Sequence, residues 1–318
     1  MPPAIPEISG INAWHWSGFV LCVLVFLTLD LGVFHRKAHV VSFHEALAWT
    51  GVWACLAVLF GLIIAPAIVH GWELQQTVEF ITGYVIELSL SMDNVFVIAL
   101  IFAHFAVPES YQHRVLFWGI LGALLMRGAM IWLGVELIQR FSWLLIALGA
   151  FLIFSGLKMV FTQDKESDPE KNIAVRLARK FFRVSRDFDG PRFITRQDGR
   201  NVLTPLMLVL LLVETTDLIF ALDSIPAIFA VTTNPFIVFT SNVFAILGLR
   251  SLYFVLAGAI KYFRYLKFGL SIVLVFIGFK MVAVNYVHIS TPLSLGVVLL
   301  IIAGSILASV LTAKREQA

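Results

Sequence analysis

Two stretches, Glu87-Leu-Ser-Leu-Ser-Met-Asp93-Asn94 and Asp217-Leu-Ile-Phe-Ala-Leu-Asp223-Ser224, decide the fold of this chain. Each places an acid, five further residues, an aspartate and a small polar residue inside a hydrophobic segment that is long enough to cross a bilayer. An ionisable side chain at membrane depth costs at least about 2.5 kcal/mol, so a repeated pair of acids there indicates a functional site. The pattern favours a pathway for cations.

The composition around these stretches is that of a membrane protein. Hydrophobic residues make up 59% of the 318 residues and charged residues 14%, and the mean hydropathy is +0.91. This leaves too little polar surface for a soluble globule. Hydrophobic stretches of about 20 residues, enough to span the bilayer as helices, run near residues 14–34, 48–69, 80–104, 115–136, 140–162, 203–230, 237–260, 267–287 and 292–312. We predict an all-α polytopic membrane protein with about nine transmembrane helices.

Lysine and arginine fall on alternate loops, which predicts the orientation because cytoplasmic loops retain positive charge. The exception is Arg140, on a short loop that this alternation places outside, and it is paired in sequence with Glu136. Arg36 and Lys37 follow the first span, residues 163–202 are strongly basic, and Lys314 and Arg315 close the chain. The intervening loops at 70–79, 231–236 and 288–291 contain neither residue type. We therefore expect the N-terminus outside and the C-terminus in the cytoplasm. The net charge of +3 is mostly this topology signal and does not favour nucleic-acid binding.

The two acidic stretches belong to longer repeats. Mid-span Arg127 aligns with Arg250, and Lys158 and Lys280 follow these arginines by 31 and 30 residues within similar Gly-x-Lys-Met-Val sequences. Each unit has three spans, an odd number, so the two units are expected to enter the membrane from opposite sides as inverted repeats that enclose a site near the midplane. The predicted segments are 1–78 (two peripheral spans), 79–162 (first repeat), 163–202 (cytoplasmic basic loop), 203–287 (second, inverted repeat) and 288–318 (final span and tail).

Helix geometry predicts which acids share a face. Residues seven apart lie on the same face of an α-helix, whereas residues six apart differ by about 120°. Glu87 should therefore face the same way as Asn94, and Asp217 the same way as Ser224.

Asp93 and Asp223 should point elsewhere unless their helices are interrupted. Pro226 is expected to interrupt the second helix, because its ring nitrogen cannot donate to the carbonyl of Leu222. The freed carbonyl oxygen would then be a potential cation ligand.

The intramembrane charges do not balance. Two mid-span arginines, Arg127 and Arg250, are the charge-balancing residues for five acids, which are Glu87, Asp93, Glu214, Asp217 and Asp223. Either about three acids are protonated for structural reasons, as buried charges require, or a bound cation supplies the missing charge. Carboxylates, an amide, a hydroxyl and backbone carbonyls are hard oxygen donors that suit Mg²⁺, Ca²⁺ or Mn²⁺.

The two motifs, together with the runs from Asp223 to Pro235 and from Ser241 to Arg250, resemble the TerC family of integral membrane proteins. The resemblance covers roughly residues 80–287, and the remaining spans resemble the longer bacterial, Alx-type members. It implies metal homeostasis, principally efflux of Mn²⁺ across the bacterial inner membrane, with Mn²⁺ as a transported substrate and no resident cofactor. The metal-path residues implied by this resemblance are Glu87, Asp93, Asn94, Glu214, Asp217, Asp223 and Ser224.

Two classes of function stay open at this point. The first is a secondary transporter that exports Mn²⁺, with exchange for protons as one option, and a Ca²⁺ transporter is a variant of it. Another is a membrane scaffold or accessory factor that associates with secretion machinery and affects the metal loading of exported proteins. Because no Walker loop, nucleotide fingerprint, zinc-protease motif or Ser-His-Asp arrangement is present on a soluble face, we expect neither an ATP-driven pump nor an enzyme.

The basic loop has structure of its own in the sequence. Ile173, Leu177 and Phe181 recur every four residues among basic residues, which predicts a short amphipathic helix on the cytoplasmic leaflet. A turn near Gly199 predicts a hairpin over 192–204. The loop is either a membrane-surface linker between the repeats or a regulatory, metal-sensing element.

Overall fold

Long apolar helices make up most of the protein in the computed structural model, which describes residues 10–29, 43–161, 172–197, 199–259, 265–287 and 289–317. The helices are α1 (Ala13–Leu29), α2 (Phe43–Leu59), α3 (Ala65–Ile68), α4 (Leu74–His104), α5 (Glu109–Arg140), α6 (Trp143–Phe161), α7 (Ile173–Phe181), α8 (Pro205–Phe229), α9 (Pro235–Ala259), α10 (Leu266–Val282) and α11 (Thr291–Gln317). A π-helical turn, Phe60–Ile64, joins α2 to α3. Two strands, β1 (Ile194–Gln197) and β2 (Arg200–Leu203), form one hairpin.

Within the described ranges, seven helices are long and apolar enough to cross a membrane. They are Phe43–Ile68, Leu74–His104, Glu109–Arg140, Trp143–Phe161, Pro205–Phe229, Pro235–Leu256 and Thr291–Thr312. Ala13–Thr28 is a shorter apolar helix, and α10 has 17 residues. The prediction of an all-α polytopic membrane protein is confirmed, whereas the count of nine spans and the division into five segments stay predictions.

The long helices begin where the sequence supplies capping groups. At the start of α4, Glu73 and Gln76 form a capping box in which each side chain accepts a hydrogen bond from the other residue's backbone N–H. Asn234 precedes α9, and its Oδ1 accepts from the backbone N–H of Phe236 at 3.0 Å. Pro205 occupies the first position of α8, where a missing N–H costs nothing. Each of these residues deals with backbone N–H positions that have no helical partner at a helix start.

Helices α4 and α9 pack side by side in the same direction. The rings of Phe80 and Phe244 are 5.9 Å apart near the starts of the two helices, and those of Phe102 and Tyr253 are 5.5 Å apart nearer their ends. The alternation of spans predicts this parallel relation, because both helices follow a loop on the same side.

Helices α5 and α8 are also parallel. Gly119 lies against Val213, and Gly134 lies against the ring of Phe229. Later residues of α5 thus contact later residues of α8. In each predicted repeat the first helix therefore packs on the second helix of the other repeat.

The third helices, α6 and α10, pack against each other in opposite directions. Gly149 meets the carbonyl of Gly278, while Gly156 meets the carbonyl of Ser271. Gly156 and Gly278 occupy equivalent positions in the two repeats, and so do Gly149 and Ser271, which lie seven residues before them. Exchanging the two repeats therefore turns each of these contacts into the other, which agrees with the inverted-repeat hypothesis. The repeats themselves stay a prediction.

Two apolar clusters lie on either side of the helix midpoints. One includes Ile86 and Ile225, and the other includes Ile98 and Val209. Because α4 and α8 each pass through both clusters, their polar mid-span residues are held between two layers of apolar packing. This is where the candidate site lies.

The basic loop contains the predicted helix and hairpin. Helix α7 forms over Ile173–Phe181, with Val175 and Ala178 buried against the rest of the protein and its apolar Ile173 exposed. β1 and β2 pair antiparallel around Gly199, which has a φ of +74°. Both elements are confirmed, while contact of α7 with the cytoplasmic leaflet stays a prediction.

Candidate functional site

A buried arginine at the middle of α5 joins two acids from different helices. Arg127 donates from Nε to Oδ2 of Asp217 at 3.0 Å and from Nη2 to Oδ1 of the same carboxylate at 2.7 Å. Its Nη1 forms a short ion pair with Oε1 of Glu87. All three residues are nearly inaccessible, with exposed fractions of 2% for Arg127, 4% for Asp217 and 0% for Glu87. The guanidinium therefore bridges the two predicted repeats near the middle of their apolar helices.

Two amides complete the hydrogen bonding of these carboxylates. Asn94 donates from Nδ2 to Oδ1 of Asp217 at 2.7 Å, and Asn242 donates from Nδ2 to Oε2 of Glu87 at 2.9 Å. Oδ1 of Asn242 also accepts from Nη1 of Arg127 at 3.4 Å. Hydrogen bonds to charged groups inside a low-dielectric region are strong. The amides therefore help to fix the positions of both carboxylates.

Two hydroxyls lie at the edge of the same cluster. Ser91 donates to Oε1 of Glu87 at 3.3 Å, and Oγ of Ser224 is 3.5 Å from Nη1 of Arg127. Together these side chains form the central cluster, which consists of Glu87, Ser91, Asn94, Arg127, Asp217, Ser224 and Asn242. The central cluster joins four helices, α4, α5, α8 and α9.

The predicted helix faces are confirmed. Glu87 and Asn94 both enter the central cluster from α4, and Asp217 and Ser224 both enter it from α8. Seven-residue spacing therefore brought the correct pairs together.

The expected interruption of α8 at Pro226 is wrong. The helix runs without a break from Pro205 to Phe229 and includes the proline in its last turn. A proline so close to the end removes only one helical hydrogen bond, so the helix need not break. As a result Asp223 keeps its off-face direction and lies beside Ser155 and Lys158 of α6.

Glu214 lies one turn before Asp217 on α8, and its carboxylate covers Gly122 of α5 directly. Asp217 is its charged neighbour. Among the hydrogen-bonding partners that the structure describes, Oε2 of Glu214 finds none, and the same is true of Oδ1 of Asp223. Both acids are half-buried. Glu214 therefore lies next to the central cluster on α8, whereas Asp223 faces α6.

The remaining two predicted residues, Arg250 and Asp93, are not members of the central cluster. Arg250 is buried two turns after Asn242 on α9, and Asp93 is half-buried next to Asn94 on α4. Each has an interaction of its own.

Metal ligation by the seven predicted residues stays a prediction. The residues that the structure describes include no group of three or more His, Cys, Asp or Glu side chains arranged to hold a metal ion. The physical reason is that Arg127 occupies the space between Glu87 and Asp217, and Asp223 faces α6. The charge of the acids in the central cluster is therefore neutralised in part by the guanidinium of Arg127.

Asn242 is a central residue that the sequence reasoning missed. It is buried in α9 directly after Thr240 and Ser241, which are also buried. Three consecutive polar residues inside an apolar span were the signal available in the sequence, because an amide inside a membrane span usually hydrogen-bonds to another helix. The sequence does not indicate that the partner of Asn242 is Glu87.

Comparison with known proteins agrees with this architecture. The profile described as "Integral membrane protein TerC family" matches residues 72–317. An uncharacterized membrane protein of Myxococcus xanthus is 52% identical over 301 residues, covering 94% of this chain and 92% of the relative. The putative membrane-bound redox modulator Alx of Escherichia coli (strain K12) is 47% identical over 294 residues, covering 89% of this chain and 90% of the relative.

A further relative with the same Alx description, from Photorhabdus laumondii, is 42% identical over 304 residues, which is 93% of this chain and 94% of the relative. No solved structure matches the chain. The match covers the helices that build the central cluster. This protein belongs to the TerC family of multi-pass integral membrane proteins.

Proposed function

We propose that this protein is a secondary transporter that exports divalent metal cations, above all Mn²⁺, from the cytoplasm of a bacterium through its inner membrane. The N-terminus would lie outside and the C-terminus inside, as the loop charges predict. Transport would need neither a resident cofactor nor enzymatic chemistry.

The observation that carries this proposal is the charge around Arg127. Glu87, Asp217 and the neighbouring Glu214 carry three carboxylates, while the guanidinium of Arg127, which contacts Glu87 and Asp217, offers a single positive charge. When all three acids are ionised, two negative charges remain uncompensated in a region where isolated charge is expensive. One divalent cation balances them, and so do two protons.

This arithmetic supports exchange of a divalent cation for protons. The charge of this group has to be balanced both with and without a bound metal ion. Protons and metal therefore compete for the same acids, because each metal ligand has to be deprotonated first. An inward proton gradient then supplies energy for export.

The donor set supports the choice of cation class. Carboxylates with amide and hydroxyl oxygens suit Mn²⁺ or Ca²⁺, whereas soft metals prefer sulfur. The resemblance to TerC proteins favours Mn²⁺ over Ca²⁺.

The name of the Alx relatives suggests redox modulation, but the cysteines give it no support here. Cys22 and Cys55 are both free and lie on two different helices, α1 and α2. The other candidate, a scaffold for secretion machinery, predicts that activity survives neutralisation of the buried acids.

The decisive experiment is Mn²⁺ flux into or out of proteoliposomes that contain the purified chain, under an imposed pH gradient. Glu87→Gln and Asp217→Asn keep the shape of the site but remove charge, and we expect each to abolish gradient-driven flux. Glu136→Gln is the matched control, since this acid is half-exposed on α5 and pairs with Arg140. If the folded wild type moves neither Mn²⁺ nor Ca²⁺, the scaffold function becomes the better one.

A further inference from the structure

We propose that Arg127 has two docking positions, and that the transported cation and this guanidinium take turns at the acids of the central cluster. In the first position, the one observed, Arg127 binds Glu87 and Asp217. In the second it binds Glu214 while a divalent cation occupies the other two carboxylates. This inference rests on the proposed transport function and assigns a role to two residues of that site.

The guanidinium must leave before a cation can bind. Both oxygens of Asp217 accept from Arg127, and Oε1 of Glu87 is held by its Nη1. The fourth oxygen, Oε2 of Glu87, accepts from Asn242. Because every carboxylate oxygen faces an N–H donor, a metal ion would meet hydrogens and a like charge instead of lone pairs.

The structure offers the displaced guanidinium one nearby acceptor. Glu214 lies over Gly122, which is five residues before Arg127 on the same helix, and Oε2 of Glu214 has no hydrogen-bond partner among the described residues. Long side chains on a helix point back toward its N-terminus. Because α5 and α8 run parallel and Glu214 precedes Asp217 by three residues, Glu214 lies in that direction from the observed position of the guanidinium. The absence of a side chain at Gly122 makes room for the Glu214 carboxylate.

Asn94 provides the complementary change on the cation side. The residue is fully buried, its Nδ2 is bound to Asp217, and its Oδ1 is without a hydrogen-bond partner in the described part of the chain. Once Arg127 has left, rotation of this amide turns its oxygen toward the cation that the carboxylates of Glu87 and Asp217 would hold. An orphaned buried acceptor is unusual enough to require such an explanation.

Charge balance makes the exchange selective for divalent ions. With the cation in place, the three carboxylates of Glu87, Asp217 and Glu214 face two charges on the metal and one on Arg127, and the group is neutral. A monovalent cation leaves one negative charge uncompensated inside the membrane, which is unfavourable. Arg127 is therefore a specificity-determining residue and Glu214 positions it.

The test is a double-mutant cycle on Mn²⁺ affinity, measured by calorimetric titration of the full chain in lipid nanodiscs. Arg127→Gln removes the competing charge, so we expect Mn²⁺ to bind about tenfold more tightly, equivalent to about 1.4 kcal/mol, while flux in proteoliposomes is lost. Glu214→Gln removes the second docking position, so binding should weaken by about tenfold. In the Arg127→Gln background, Glu214→Gln should change the affinity by no more than about twofold, which is the limit for uncoupled sites.

Arg127→Lys keeps the charge but loses the bidentate contact with Asp217. It should give an intermediate affinity, and it replaces the Gln variant in the cycle if that variant does not fold. If Glu214→Gln weakens binding equally in both backgrounds, or if removal of the guanidinium weakens Mn²⁺ binding, the two-position inference is wrong while the transport function stands. If the wild type binds neither Mn²⁺ nor Ca²⁺, the proposed function and the two-position inference are both wrong.

Discussion

Replacing Gly278 by alanine is expected to weaken the contact between the two predicted repeats. The added Cβ would lie 2.6 Å from the carbonyl oxygen of Gly149 and 2.9 Å from the backbone nitrogen of Ile153, whereas ordinary contact begins at 3.4 Å. Both neighbours are backbone atoms of α6 and cannot rotate away, so the helices must separate. Overpacking of this kind costs about 1–3 kcal/mol, and the gain in helix propensity from glycine to alanine returns about 0.5–1 kcal/mol. We therefore expect a net loss of stability near 1 kcal/mol.

The assay is equilibrium unfolding of the purified chain in mixed micelles, followed by circular dichroism. Gly304→Ala is the matched control, because it also lies in a helix but has nothing within 4 Å of the added Cβ. That variant should be as stable as the wild type or slightly more stable. A Gly278→Ala protein that unfolds no earlier than the Gly304→Ala protein would refute the backbone contact between α6 and α10.

Two further predictions concern single hydrogen bonds. Asn242→Ala removes the donor to Oε2 of Glu87 and should destabilise the protein by about 1.5–3 kcal/mol, as expected for a hydrogen bond to a charged group. Ser91→Ala removes a longer hydrogen bond of 3.3 Å and should destabilise the protein less. Equal losses of stability in unfolding experiments would contradict the assigned role of the amide. In the hairpin, the hydroxyl of Thr195 donates to Asp189 at 2.6 Å and lowers the pKa of that carboxyl below its ordinary value. The resulting stabilisation is present above the pKa of the unfolded chain and is lost as the pH falls through the lower, folded pKa. Carboxyl NMR titration of the full chain should show this lowered pKa and its return toward the ordinary value in Thr195→Ala; an identical titration in both proteins would exclude the hydrogen bond as the cause.

Much of the fold could be predicted from local sequence rules. The length of each apolar stretch gave the all-α membrane class, and helix periodicity correctly placed Glu87 with Asn94 and Asp217 with Ser224. These properties depend only on residues close together in the chain. The error at Pro226 arose because a local rule about proline was applied without knowing that α8 ends within one turn of it.

The central cluster itself could be predicted only in part. The sequence identified Arg127 and the acids as residues that need partners, and the charge count showed that they could not all be paired. It did not show that one guanidinium binds acids 40 and 90 residues away, or that Asn242 supports Glu87 across 155 residues. Such contacts depend on how far each helix is rotated against its neighbours.

By itself, then, the sequence determined that the chain lies in a membrane, which helix faces are polar, and that buried negative charge exceeds buried positive charge. The tertiary structure decided which of those charges meet. Packing of α4, α5, α8 and α9 brings Arg127 between Glu87 and Asp217. It leaves Glu214 over Gly122, with an oxygen that has no hydrogen-bond partner in the described ranges. The physical reason is that composition and periodicity act along one helix, whereas the pairing of charges is fixed by side-chain packing between helices that are distant in the sequence.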